Sequence, residues 1–312
     1  MAPTRSTPHH LRKPDWLRVR RYGGADYHAV KNLLRAADLH TVCESANCPN
    51  RGECFGNRTA TFLLMGRVCT RACTFCNIQA GRVGALDPQE PQRVAETVRQ
   101  LNLEFAVVTS VNRDDLPDGG AAHFAATIRA IRRLNPNCGV EVLIPDFHGD
   151  PLALQKVLTA APAVLNHNLE TVPELYGVLR PQADYRHSLL LLRRARQWSD
   201  AHGGQLKVKT GMMVGVGENA SAIGALMTDV AVCGVQILTI GQYLQPTPAN
   251  HPVSRYYAPA EFSALAAQGR ALGIGWVEAG PLVRSSYHAR EQADAWTHQP
   301  ERAAAASSGR IR

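Results

Sequence analysis

Residues 59–80 read TATFLLMGRVCTRACTFCNIQA. The first eight, Thr59 to Gly66, are apolar and β-formers ending on glycine, the pattern of one buried strand. A loop follows that carries Cys69, Cys73 and Cys76, spaced C-x3-C-x2-C. Three thiolates at those offsets can hold three corners of a cubane iron–sulfur cluster and leave the fourth iron without a protein ligand. An open iron is a place for chemistry, whereas a closed four-cysteine site serves electron transfer or structure. Zinc sites use C-x2-C and C-x3-C pairs as well, but need a second pair to complete four ligands. Three unrelated cysteines in a loop are a further reading, set behind the open cluster.

Outward from this stretch the chain alternates between two periods. Strand-like runs begin at Thr59 and recur at Phe105–Val111, Val140–Ile144, Val164–Glu170, Gln205–Val214 and Val235–Gln242, with a short seventh at Trp276–Ala279. Between them, 88–101, 121–134, 152–160, 189–198, 220–233 and 259–272 carry apolar residues at helical spacing, as with Phe124, Ile128 and Ile131. Alternation of this kind implies a parallel sheet with right-handed crossovers. Six full units are too few to close an eight-stranded barrel. The fold expected is α/β, a curved partial (β/α)6 barrel with N-terminal and C-terminal extensions. The expected divisions are 1–58, 59–280 and 281–312.

The chain has 312 residues, 45% of them hydrophobic, enough for a sizeable core. No apolar run approaches the ~20 residues that span a membrane. Of the net charge of +8, residues 1–21 supply most, through Arg5, Arg12, Lys13, Arg18, Arg20 and Arg21 against Asp15. Such an arm reads first as a solvated tail, and second as an attractor of an acidic partner or nucleic acid. It lacks the apolar core of a secretory signal; a short organellar transit sequence is the other reading of its arginines. Without that signal, the eight cysteines read as metal ligands in a reducing cytoplasm rather than as disulfides. Cys138 and Cys233 stand alone and read as buried small hydrophobes.

Upstream, HTVCESANCPNRGECFG holds a second triplet, Cys43, Cys48 and Cys54, spaced C-x4-C-x5-C in a segment that reads as turns. Two triplets this close are hard to ascribe to chance. A zinc site shared between them is the structural alternative. In a parallel α/β fold, ligands gather at the carboxyl ends of the strands. Polar residues stand there: Arg113, Asp114 and Asp115; Asp146 and His148; Asn168 and Glu170; Lys209 and Glu218; Gln242 and Gln245. Asp115–Gly120 reads equally as a helix cap, His167 as a hydrogen-bonded core histidine and Glu218 as a turn cap. Asn168 and Glu170, two apart, would share one face.

The loop with its aromatic Phe75 before the last cysteine resembles the radical S-adenosylmethionine (SAM) superfamily, whose C-x3-C-x-aromatic-C loop follows the first strand of a partial barrel. The two triplets together resemble the lipoyl synthase family, and the resemblance extends from about Asp15 to Ala289. It is carried by HTVCESANCPN (40–50), RDDLPDGGA (113–121), EVLIPDF (141–147), HNLETV (167–172), VGVGE (214–218), TIGQYLQP (239–246) and AGPLVRSSYHA (279–289). Asn112, Thr210 and Glu278 depart from the family's usual aspartate, serine and small residue, respectively.

That resemblance implies two 4Fe–4S clusters and SAM. One cluster sits on Cys69, Cys73 and Cys76 beside Phe75, with its open iron chelating SAM. The other sits on Cys43, Cys48 and Cys54, with Ser286 of RSSY as the unusual fourth ligand. Asn168 and Glu170 would touch the ribose or amino-acid part of SAM, and Arg180 its carboxylate. The implied activity is radical insertion of two sulfur atoms at C6 and C8 of an octanoyl-lysine. The implied partners are octanoylated lipoyl-carrier domains (glycine cleavage H protein or 2-oxoacid dehydrogenase E2), a reductant such as ferredoxin or flavodoxin, and an iron–sulfur carrier for cluster repair. No nucleic acid and no membrane are implied. The alternatives are a biotin synthase, a tRNA methylthiotransferase, which wants an appended RNA-binding domain, and a metal-bearing nucleic-acid module. From about residue 290 the sequence reads as a weak helix running into a disordered tail.

Overall fold

The computed structural model describes residues 11–19 and 23–297. Ten strands occur among them: β1 (His40–Thr41), β2 (Thr61–Leu64), β3 (Val68–Cys69), β4 (Gln79–Ala80), β5 (Phe105–Ser110), β6 (Gly139–Leu143), β7 (Val164–Asn166), β8 (Lys207–Val214), β9 (Ile237–Gln242) and β10 (Trp276–Gly280). Eight form one sheet in the order β1-β2-β5-β6-β7-β8-β9-β10, and β3 with β4 makes a separate two-stranded ladder. From β2 to β10 every pairing is parallel. Each strand neighbours the next in the chain, so the order never reverses. That is the singly wound arrangement of barrel folds, which puts all strand carboxyl ends at one mouth.

Helices Glu90–Gln100, Ala121–Leu134, Pro151–Thr159, Tyr185–Ala201, Ala220–Val232 and Pro259–Ala271 connect the strands, giving six β/α units and a final strand. Local chemistry sets their starts. Asp150 accepts from the N–H of Leu152 and Ala153 ahead of Pro151, Asp184 from His187 and Asn219 from Ala222. One continuous core fills the space between helices and sheet, including Phe62, Phe124, Ile128, Leu165 and Phe262. Each such fully buried side chain contributes about 1.5–3 kcal/mol of hydrophobic stabilisation.

The expected strands and helices are found to within a few residues, with two differences. The segment around the second triplet is not all turns: Val42–Ser45 and Arg51–Gly56 are short helices. Thr41 caps the first, and Asn47, at φ 49°, separates them. The second difference is β1, which pairs antiparallel with β2 and extends the barrel sheet by one edge strand. Val30, Leu34 and Phe55 join the same core, so the N-terminal extension packs as part of the barrel. At the other end, Ala289–Thr297 is helical. The expected tail from residue 298 onward, and residues 1–10 and 20–22 of the basic arm, lie outside the described residues. No helix among the described residues is long and apolar enough to cross a membrane.

Inside the barrel lies a polar layer. Lys209 does not flank a strand end, as expected, but sits within β8, fully buried. Its ammonium donates to Glu141 Oε1 at 2.9 Å and Oε2 at 3.1 Å, and Asn166 Nδ2 donates to Glu141 Oε1 at 3.1 Å. Three adjacent strands are thus tied by one carboxylate. Removing one partner of a buried pair strands the other charge. Lys209→Met is expected to lower unfolding free energy by about 3–5 kcal/mol in chemical denaturation, and Lys209→Met with Glu141→Gln to recover part of that loss.

Candidate active site

The first triplet lies in a loop closed at its base by the β3–β4 ladder, where Cys69 pairs with Ala80. The loop is held from several sides over the mouth. Thr74 N–H donates to Leu179 O at 3.0 Å, Ala72 N–H to Gln182 Oε1 at 2.7 Å, and Asn250 Nδ2 to Cys76 O at 2.9 Å. Phe75 packs on a small apolar cluster of Leu179, Val216 and Tyr243. Backbone N–H groups point at the sulfurs: Arg71 and Asn112 at Cys69 Sγ (3.4 and 3.3 Å), Ile78 at Cys76 Sγ (3.4 Å).

Arg71, which the sequence analysis passed over, is 3% exposed. Its guanidinium makes bidentate contacts with Asp114 (2.8 and 2.9 Å) and Asp146 (2.7 and 2.7 Å). Burial opposes its charge, but the two carboxylates raise its pKa nonetheless, and Arg71 holds Asp146 far below the usual carboxylate range. Nothing in the local sequence marks it, because both acids lie far along the chain after two later strands.

Asn168 and Glu170 do come together, but beyond β7 rather than on it. Asn168 Nδ2 donates to Glu170 Oε1 at 2.9 Å and to Ser285 Oγ at 2.6 Å. Glu170 sits at φ 67°, a left-handed conformation costly to a side chain, held by Glu170 N–H to Gly211 O and Met213 N–H to Glu170 O. Burial pushes its carboxyl up, against the opposing pull of Arg180. Arg180 is buried and donates to the carbonyls of Asn168 and Leu169 at 3.0 and 3.2 Å. Asn168 Oδ1 and Arg180 Nε are buried without a hydrogen-bond partner among the described residues. They are an acceptor and a donor left for a ligand at the mouth.

Of the second triplet, Cys43 and Cys54 sit on the two short helices and Cys48 in the turn between them. Burial pushes the Cys43 thiol up to about 11 and the Cys54 thiol to about 12, and Cys48 adds to both. Cys76 is pushed up to about 12 by burial, with Cys73 and Cys69 adding. Cys48 acts on Cys43 and both act on Cys54, while Cys69 acts on Cys73 and both act on Cys76. All six thiols are free. Among the described residues no three His, Cys, Asp or Glu side chains converge on a single-ion geometry.

The turn after β10 joins the two sites. Ser285 accepts from Asn168 at the first; Tyr287 OH donates to Glu53 Oε1 at 3.0 Å at the second. Burial pushes the Arg284 pKa down with Cys48 opposing, and Arg284 Nη1 donates to Val283 O at 2.6 Å. Asn50 Nδ2 holds Leu282 O at 2.8 Å. The turn can descend this far because Gly211 and Gly241 lie beneath it. A Cβ at 211 would sit 2.8 Å from Asn168 Oδ1 and 3.0 Å from Ser285 Oγ, and one at 241 would collide with Val283 O. Ser286 is half-buried between these anchors, and its hydroxyl hydrogen-bonds to no other described residue.

The remaining candidates are structural. His167 lies between Ile144 O and Ser188 Oγ. Glu218 takes the N–H groups of Gly215 and Val216 and the Tyr257 hydroxyl. Gln242 is buried and bonds to Val214, Tyr243 and Arg255 carbonyls, while Arg113 pairs with Asp115. The three departures are also placed. Asn112 acts through its backbone, the Thr210 hydroxyl donates to His167 O, and Glu278 binds Gln292 and His288 of the C-terminal segment.

A family model described as the radical SAM superfamily matches residues 63–230. One for the N-terminal domain of lipoyl synthase of the radical SAM family matches residues 3–48. Among solved structures, the fold is similar to the FeFe-hydrogenase maturase HydG, with a TM-score of 0.55 at 15% identity over 86% of this chain and 66% of that one. It is also similar to Streptococcus suis SuiB bound to its precursor peptide SuiA, with a TM-score of 0.54 at 10% identity over 73% and 50%. Fold and cysteine loop define a radical SAM protein. A curated lipoyl synthase from Rubrobacter xylanophilus is 53% identical over 90% of this chain and 87% of its own length. Another, from Chloroflexus aggregans, is 52% identical over 95% of each chain. The chain belongs to the lipoyl synthase family.

Its cofactors are accordingly SAM and 4Fe–4S clusters, and the residues fit them. Burial raises the thiol pKa of Cys43 and Cys54 in one triplet and of Cys73 and Cys76 in the other, so cluster binding there would release protons. N–H groups aim at two sulfurs of the first triplet, and unpartnered polar atoms stand beside it.

Buried neutral His167 gives the site a pH signature. Burial, then the charge of Arg180, push its pKa from 6.5 down to about 4. Below pH 6.5 the unfolded chain takes up a proton that the folded chain refuses, so stability falls from there toward pH 4. The slope is about 1.4 kcal/mol per pH unit. His167→Gln is expected to flatten it, as read by urea denaturation across that window.

Proposed function

We propose that this chain inserts two sulfur atoms, at C6 and C8, into an octanoyl group amide-linked to a lysine of a lipoyl-carrier domain. In this reading Cys69, Cys73 and Cys76 hold the radical-generating cluster, and Cys43, Cys48, Cys54 and Ser286 hold the sulfur-donating one. When bound, the first cluster and SAM supply a 5′-deoxyadenosyl radical that abstracts hydrogen from unactivated carbon, and the second cluster supplies sulfur. The observation that carries this is the 281–288 turn. It bonds to the mouth through Ser285 and, through Tyr287, to Glu53 on the helix that carries Cys54, with Ser286 between them.

The chain's own residues bind, orient and exclude water. When SAM is bound, Asn168 Oδ1 would accept from its ribose or amino group and Arg180 would serve its carboxylate. Glu170, fixed by its two backbone bonds, orients Asn168. Phe75 packs the loop against Leu179 and Tyr243 and keeps that side dry. Dryness matters because a carbon radical is quenched by solvent. A serine oxygen is a harder, less typical iron ligand than thiolate, so Ser286 suits an iron that must be released. Functionally, 1–58 supplies the second triplet, 59–280 the barrel, and 281–312 the serine ligand.

The carrier is a glycine cleavage H protein or a 2-oxoacid dehydrogenase E2 domain. Ferredoxin or flavodoxin supplies electrons, and an iron–sulfur carrier restores the second cluster. The reaction takes place in the cytoplasm. The test is anaerobic: reconstituted protein, SAM, a strong reductant and an octanoyl-lysyl peptide, followed by mass spectrometry. The peptide is expected to gain two sulfurs and lose two hydrogens, with deoxyadenosine formed. Cys43→Ala should keep deoxyadenosine formation and abolish sulfur transfer. Deoxyadenosine beside an unchanged peptide would refute the acceptor. Neither product from cluster-loaded protein would refute the reaction.

A further inference from the structure

Cys69 differs from its two partners in how it is held. Two backbone N–H groups, from Arg71 and Asn112, converge on its sulfur, whereas Cys76 receives one. Those two N–H groups come from different parts of the chain, the cluster loop and the end of β5. Their convergence depends on what locks loop to strand. Thr70 N–H and Oγ1 both donate to Asn112 O at 3.1 Å, and Thr70 Oγ1 also contacts Asp114 Oδ2 at 3.0 Å. Arg71 then spans Asp114 after β5 and Asp146 after β6 with four hydrogen bonds of 2.7–2.9 Å. His148 Nε2 meets Asp114 Oδ1 at 2.8 Å from the outside.

We propose that Arg71 is a positioning residue for the radical-generating centre, acting with Thr70: the clamp they form holds two N–H donors on Cys69 Sγ and so raises the reduction potential of the cluster bound there. Hydrogen bonds to cluster sulfurs stabilise the more negative, reduced state. The guanidinium's charge is more than offset by its two carboxylates, so the charge of the clamp would not itself raise the potential and its action is geometric. The forked guanidinium is the only common side chain that can bridge two carboxylates bidentately; a lysine keeps the charge but not the fork. The inference rests on the cluster assignment made above for Cys69, Cys73 and Cys76.

The test is an EPR-monitored redox titration of the anaerobically reconstituted full chain with dithionite and mediator dyes. Arg71→Lys and Thr70→Val both leave net charge unchanged. If the clamp sets the N–H cradle, each lowers the equilibrium constant for one-electron reduction about tenfold, a shift of about 59 mV to more negative potential. Thr70→Ser, which restores the hydroxyl, should return it to the wild-type value. Unchanged potential and EPR spectrum in both variants, with only a lower melting temperature, would overturn the proposal and leave the clamp purely structural. Should Arg71→Lys fail to fold, Thr70→Val decides alone. Cys73→Ala is titrated alongside. Loss of the signal in it ties the measurement to this triplet; persistence would refute the cluster assignment itself.

Discussion

A guanidinium taken out of water and held between two carboxylates fixes the position of the cysteine loop, and much else follows from it. Desolvating Arg71 costs several kcal/mol, offset only because both forks of the side chain meet acids. Asp114 and Asp146 stand after consecutive strands, so the loop after β2 is tied to the next two strand ends. Gln182 and Asn250 hold it from the other side of the mouth. The cysteines are thereby presented over the carboxyl ends of a sheet whose order never reverses, the one place such a fold offers a ligand site.

The second constraint is steric. The RSSY turn reaches the mouth only because residues 211 and 241 carry no Cβ. From there it can touch Asn168 on one side and the Glu53 helix on the other. A turn that bonds to both sites gives sulfur donor and radical source a fixed relation without a rigid connecting element. The left-handed Glu170 belongs to the same device, since its backbone bonds to the strand that carries Gly211.

Most of the barrel was legible because short buried apolar runs alternate with segments of helical period. The cysteines were legible from spacing, and membership of the lipoyl synthase family followed from segments along the chain. What was not legible depends on contacts far apart in sequence. Arg71 reads as an ordinary loop arginine until β5 and β6 bring Asp114 and Asp146 to it. Lys209 reads as a strand-end lysine, yet an interior Glu141 from two strands away makes its burial tolerable. Ser285 and Ser286 are indistinguishable as a pair; only the fold commits Ser285 to Asn168. The short helices around Cys43 and Cys54 were hidden because four to six residues carry too little periodicity to detect.

The proposed function requires the six cysteines to form two separate cluster sites. The most direct measurement is iron, sulfide and zinc content of anaerobically reconstituted protein, made for the wild type and for variants with all three cysteines of one triplet replaced by alanine. Two independent sites predict that either variant retains about half of the wild-type iron and sulfide, with negligible zinc. Loss of all metal on removing either triplet, or stoichiometric zinc in its place, would contradict the account and point to a single shared site.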